Sequence, residues 1–248
     1  MILAPIKSSA RRLATVGLVA LLFAGCAVPT VTPTPPPSPL PTVAPTTPPY
    51  TLGPSISPSP FGCPTSAPPA LTGTATVTIT TNFGNIVIKV DSSLGANAAG
   101  SFVALARCGY YNNVIFHRVV PTFVIQAGDG TYGRMPNPTL GHLLGTGGPG
   151  WTIPDDKVTT KYLRGTVSMA RTSSPNSGNS QFFIVLTDSA GTTLGDPTTA
   201  NNYAIFGSVT TGLDVVDRIA AVPLGGDDSP PSMPLQPIVI TSTIVTTP

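Results

Sequence analysis

From Thr74 to the end of the chain, short β-branched and aromatic runs are separated by clusters of Gly, Pro, Asn and Ser, and only two stretches carry apolar residues at helical spacing. Period-2 alternation over 75–80 and 84–90, either side of Asn82 and Phe83, predicts a β-hairpin. Segments 165–170, 180–186, 202–207 and 238–245 read as further strands from their β-branched and aromatic content. A helix is predicted over 97–107, where Phe102, Leu105 and Ala106 share a face and Cys108-Gly109 ends the turn, and a second over 213–220. A Gly- and Pro-rich excursion occupies 129–163. Many short strands with two helices indicate a mainly β fold, a closed or nearly closed antiparallel barrel.

The first seventy residues are of another kind, so the 248-residue chain holds a shorter folded part. Positions 1–26 run from a basic start (Lys7, Arg11, Arg12) through an apolar stretch to Gly25-Cys26, the pattern of an export signal. The apolar run is short for a membrane span. Its ending, Leu22-Phe23-Ala24-Gly25-Cys26, resembles a bacterial lipobox, in which the cysteine is lipidated, although Phe23 replaces the usual aliphatic residue. An ordinary cleaved signal and an uncleaved anchor are the competing readings; each places the body outside the cytoplasm. Residues 27–70 are dominated by Pro, Thr and Ser and carry no charge, which predicts a disordered, partly polyproline-II tether ahead of a domain over 71–248.

Three of the twelve basic residues lie in the signal, leaving nine against ten acidic ones, all Asp. A nearly neutral chain without a basic stripe is not expected to bind nucleic acid. Cys63, at the end of the tether, and Cys108, in the domain, either pair in an oxidising compartment or remain two free thiols.

Within residues 111–129, an apolar β-branched segment spends three polar residues, His117, Arg118 and Gln126. Alternation puts Arg118 and Val120 on one side of a first strand, and Val124 and Gln126 on one side of a second, with Pro121 and Thr122 between. Two polar groups then converge beside an apolar wall. Residues 168–183 repeat the theme, with Gln181 and Phe183 on one face beyond a loop that contains Arg171.

Other chemistries are weakly supported. Gly145-Thr146-Gly147-Gly148-Pro149-Gly150 fits G-x-G-x-x-G, but Trp151-Thr152-Ile153-Pro154-Asp155 directly after it cannot open a helix over a dinucleotide. His117 and His142 stand too far apart for a zinc pair, so neither metal nor cofactor is expected. No serine lies in a G-x-S-x-G elbow, and His117 is read as a hydrogen-bonded structural residue rather than a base.

Taken together, Phe116-His117-Arg118 with Gln126-Ala127-Gly128-Asp129, then Ser168-Met169-Ala170-Arg171, Ser180-Gln181-Phe182-Phe183 and Phe206-Gly207 resemble the cyclophilin peptidyl-prolyl isomerases, in order and spacing, over about 74–245. Residues 146–150 and 169–172 are similar to the bacterial members. The resemblance implies a closed eight-stranded antiparallel β-barrel capped by two α-helices, with a shallow outer groove for an X-Pro peptide. It implies Arg118 and Gln126 as catalytic residues, and Phe123, Val124 and Phe183 around the proline ring. It further implies Ala170, Arg171, Thr172 and Gln181 along the groove, Arg171 acting through its backbone, with Leu194 and Tyr203 at its border. The tryptophan that relatives use for cyclosporin has no counterpart over 187–202, so weak cyclosporin binding is expected.

These readings converge on an isomerase that assists folding of exported polypeptides, lipid-anchored through Cys26 to a bacterial cell membrane or else secreted, acting as a monomer on proline-containing chains. A groove that only binds proline segments, for chaperoning or adhesion, is the alternative.

Overall fold

The computed structural model describes residues 62–138, 142–195, 203–225 and 232–247. The predicted signal, Cys26 and the tether as far as Phe61 lie outside the described residues.

Eight strands make up the sheet, in chain order β1 (Thr74–Thr81), β2 (Gly84–Asp91), β3 (Val114–Val120), β4 (Val124–Ala127), β5 (Thr166–Met169), β6 (Phe182–Val185), β7 (Ile205–Thr211) and β8 (Val239–Thr246). They close into a barrel in the order β1-β2-β7-β5-β6-β4-β3-β8, with every neighbouring pair antiparallel. The predicted hairpin is β1–β2, paired from Thr74↔Asp91 to Thr81↔Gly84 around Asn82 and Phe83. Asn82 also helps close the barrel, donating to Pro237 O and accepting from Val239 N, which seats the hairpin turn on the start of β8.

Alternation along the strands sends Val77, Ile79, Ile86, Ile88 and Val90 into the interior, where none is accessible. Helix α1 (Ala96–Arg107) covers one end. Its Phe102 ring stands 5.5 Å from Tyr111, 5.2 Å from Phe182 and 4.8 Å from Phe206, an aromatic plug contributed by four separate segments. Burying a side chain of this size contributes roughly 2–3 kcal/mol. Gly95 at the helix N-cap has no side chain to satisfy the first free N–H groups, and Asp156 does so instead, accepting from Asn97 N at 3.1 Å and Ala98 N at 2.8 Å.

The sequence predicts two helices, and the described residues carry three. Helix α3 (Leu213–Ala220) matches the prediction, with Val215, Val216 and Ile219 buried; the additional α2 (Asp188–Leu194) buries only Ala190. A seven-residue helix with one buried residue has no apolar period to read, and only its ends carry local signals, Thr187 at the N-cap accepting from Ala190 N, Asp188 in the first turn and Gly195 at the C-cap. Strand β7 continues to Thr211, beyond the predicted end at Gly207. That glycine marks a close approach within the strand: a Cβ there would lie 2.5 Å from Lys89 O on β2.

Residues 62–70 have no regular secondary structure but are held to the domain. Cys63 is disulfide-bonded to Cys108 at the C-cap of α1, Trp151 Nε1 donates to Pro64 O at 3.1 Å, and Leu71 N to Ala96 O at 2.9 Å. Among the described residues, no helix is long and apolar enough to cross a membrane.

Candidate active site

Strict alternation from Phe116, which is buried in the core, would turn Arg118 inward as well. The strand pairing prevents this. Phe116 pairs with Ala127, but Arg118 pairs with Gln126, so β3 advances two residues while β4 advances one and His117 is the extra residue of a bulge. Beyond the bulge, Val119 faces Ile125 inside the barrel, while Arg118 with Gln126 and Val120 with Val124 face outward. One inserted residue therefore carries the guanidinium from the interior to the outer surface.

The same outer face continues across β6 and β5. Phe183 pairs with Gln126 on one side and Ser168 on the other, and Val185 pairs with Val124. A second apolar cluster forms here, separate from the barrel interior, with Val124, Tyr162, Phe183, Val185 and Ile205 buried and Phe123, Ala170, Leu194 and Tyr203 packed against them. It floors a groove of about 150 Å³ lined by Arg118, Phe123, Val124, Gln126, Ala170, Arg171, Phe183, Leu194 and Tyr203. The Tyr203 ring meets Phe183 edge-on at 5.3 Å. Tyr203 is fixed through its backbone, its N donating to the Tyr162 hydroxyl at 2.8 Å and its O accepting from that hydroxyl at 2.9 Å.

Nine of the eleven predicted site residues thus meet in one groove, and Thr172 and Gln181 lie off its lining. Thr172 is exposed, with its hydroxyl 2.9 Å from Ser177 Oγ. Gln181 is buried behind Gln126, donating through Nε2 to Gly145 O at 2.9 Å and Gly147 O at 2.8 Å and accepting from Gln126 Nε2 at 3.0 Å. Arg171 is on the groove lining, and its guanidinium is held by its own loop and by a neighbouring carboxylate: Nη1 donates to Thr172 O and Ser174 O at 3.1 Å, and Nε lies 3.9 Å from Asp155.

Arg118 is half-buried, and its Nη1 makes a long hydrogen bond, 3.4 Å, to Gln126 Oε1. Burial pushes its pKa below the usual value and the nearby Tyr203 phenol pushes it back up, but a guanidinium titrates so high that Arg118 stays charged. His117 differs from expectation. It is buried, yet neither ring nitrogen has a hydrogen-bond partner among the described residues, and desolvation lowers its pKa from 6.5 to about 4. Asp129 opposes that shift and Arg118 adds to it. The imidazole is therefore uncharged at neutral pH.

Two residues have roles that the sequence does not assign. Asp129, fully buried, accepts from Thr131 N, Tyr132 N, Gly145 N and Gly147 N and folds the Gly-rich excursion against the site. A lone carboxylate at the end of an apolar strand was its signal. Tyr162, which fixes Tyr203, had none, because its partner is 41 residues away.

The sequence profile of the family described as cyclophilin type peptidyl-prolyl cis-trans isomerase/CLD matches residues 76–245, which include the whole groove. The chain belongs to this family. It is 36% identical over 166 residues to a peptidyl-prolyl cis-trans isomerase of Acinetobacter baylyi, covering 67% of this chain and 82% of that one. Peptidyl-prolyl cis-trans isomerase B of Escherichia coli is 34% identical over 170 residues, covering 68% of this chain and 98% of that one. Among solved structures, a Cryptosporidium parvum cyclophilin type isomerase aligns with a TM-score of 0.57 at 27% identity, covering 71% of this chain and 99% of that one. The same Cryptosporidium protein, determined in the presence of the dipeptide Ala-Pro, aligns at 0.56 and 30%, covering 70% and 99%. The chain is a cyclophilin-type peptidyl-prolyl cis-trans isomerase with the family's closed eight-stranded barrel.

Proposed function

We propose that the outer groove of this cyclophilin binds proline-containing segments of exported polypeptides and that Arg118 lowers the barrier to rotation about the X-Pro bond. That barrier is about 18–20 kcal/mol, because amide resonance is lost as the bond twists. In the planar isomers the prolyl nitrogen lone pair is delocalised and accepts nothing; at the twisted geometry the nitrogen pyramidalises and becomes an acceptor. A guanidinium donor aimed at that atom favours the twisted state over both planar ones, which is the differential binding that catalysis requires.

The observation that carries this reading is a charged, half-buried Arg118 on an apolar groove whose lining includes no carboxylate among the described residues. Apart from the long bond from Nη1 to Gln126, its donors remain available to substrate. Phe123, Val124, Phe183, Leu194 and Tyr203 hold the pyrrolidine ring, Ala170 and Arg171 flank the residues that precede it, and Gln126 orients Arg118. Thr172 and Gln181 support the groove from outside its lining.

The test is exchange NMR on an Ala-Pro peptide with the full chain. Arg118→Ala should slow catalysed isomerisation by about 10²- to 10³-fold, the loss typical of one preorganised donor. An unchanged rate in that variant sinks the role given to Arg118, and peptide binding that survives without turnover favours a binding module.

The enzyme acts as a monomer outside the cytoplasm, anchored to a bacterial cell membrane by a lipid on Cys26. The signal-like residues 1–26 and the charge-free Pro-rich residues after them support this placement, and the Cys63–Cys108 bond suits an oxidising compartment.

A further inference from the structure

We propose that Gln181 is a positioning residue, which sets the direction of the hydrogen-bond chain holding Arg118 over the groove and takes that direction from the backbone at Gly145 and Gly147. The inference rests on the role given to Arg118 above.

The chain has a forced polarity. Gly145 O and Gly147 O are carbonyls and only accept, so the end of Gln181 that meets both, at 2.9 and 2.8 Å, must be its NH₂. Its Oε1 then faces Gln126 at 3.0 Å, and because an amide oxygen only accepts, Gln126 must turn its own NH₂ toward Gln181. That leaves Gln126 Oε1 as the atom beside Arg118 Nη1. A Gln126 flipped the other way would set an NH₂ against a guanidinium, donor against donor, and drive the arginine off its position. The direction at Arg118 is thus decided by two carbonyls more than twenty-five residues away in sequence.

Those carbonyls are themselves fixed. Gly145 N and Gly147 N both donate to Asp129 Oδ2, at 2.8 and 3.1 Å, so the peptide is clamped through its N–H groups by Asp129 and through its C=O groups by Gln181. Glycine is required for that approach: a Cβ at Gly147 would stand 2.2 Å from Asp129 Oδ1. With both amide hydrogens committed and its side chain outside the groove lining, Gln181 has no donor left for substrate.

A positioning role and a substrate-contact role predict different kinetics in the full chain on an Ala-Pro peptide. Gln181→Met removes the amide at nearly constant volume. The expected result is a fall of about 5- to 30-fold in the catalysed exchange rate at saturating peptide, the size of one lost orienting hydrogen bond. Peptide Kd, from NMR titration, should stay within about twofold, and in an Arg118→Ala background the same substitution should cost less than about twofold. A raised Kd with an unchanged saturated rate, or an equal loss in both backgrounds, overturns the proposal. Gln181→Glu supplies a second readout if the methionine variant misfolds. A charged carboxylate opposes both carbonyls, whereas its protonated form can again donate to one of them, so activity should recover several-fold from about pH 8 to 5.5 as the buried acid protonates. A flat profile counts against the proposal. Failure of Arg118→Ala to slow the wild-type reaction is a separate outcome, which removes the reading this one depends on.

Discussion

His117 makes stability depend on pH in a way whose sign the structure fixes. Its imidazole is buried with no hydrogen-bond partner for either nitrogen among the described residues, and its pKa falls from 6.5 to about 4, chiefly through desolvation, with Arg118 adding to the shift and Asp129 opposing it. Because the folded pKa lies below the unfolded one, the unfolded chain binds the extra proton first. The contribution is fully present above about pH 6.5 and is lost as the pH falls from there toward about 4. Lowering the pKa from 6.5 to about 4 corresponds to about 3 kcal/mol, and for a domain of this size to about 6–12 °C in Tm. His117→Leu replaces the ring with an apolar side chain of similar size and gives up no hydrogen bond, so it should remove the titration at little cost. The assay is Tm for both proteins from pH 7 to 4. The carboxylates are the same in the two proteins, and His142, the other histidine, is exposed and present in both. The wild type should lose about 6–12 °C more than the variant over that interval. Parallel curves, or an imidazole that titrates near 6.5 by NMR, would refute the reasoning.

Reducing the Cys63–Cys108 bond opens a loop of 45 residues and should cost about 4 kcal/mol by chain entropy, or about 8–16 °C in Tm. Scanning calorimetry with and without reductant checks this against the Cys63→Ala/Cys108→Ala variant, and an unmoved Tm would show that the anchored segment adds nothing. Cyclosporin should bind more weakly than about 1 µM, since Trp151, the only tryptophan, lies against Pro64 and not on the groove; a nanomolar Kd by calorimetry contradicts this. Cys26→Ala should move the protein from the membrane fraction to the soluble one, and retention in the membrane would point to an uncleaved anchor.

Much of the barrel is legible residue by residue because alternation, helical spacing and turn residues are local properties. The hairpin over β1 and β2, the burial of Phe102, Leu105 and Ala106 on α1, and the span of α3 derive from them. The site is legible for a related reason: an arginine and two glutamines in apolar strands cost too much to lack a purpose, and motif order carried the family. All eight strands, two of the three helices among the described residues and nine of the eleven predicted groove residues were therefore determined by the sequence alone.

Only the tertiary structure decided how those faces meet. Alternation alone would put Arg118 on the same side as the buried Phe116; the bulge at His117 reverses it, and a bulge is a property of the pairing with β4 rather than of β3. Gln181 shares a face with Phe183 in a flat strand, yet its amide is drawn away from the groove by carbonyls of a Gly-rich segment with no periodicity to read. The pairing of Cys63 with Cys108, left open by the sequence, is made in the fold, where their Cα atoms come to 5.1 Å. In each case the deciding contact joins residues far apart in the chain, and local propensity carries no information about which distant partner closes the ring.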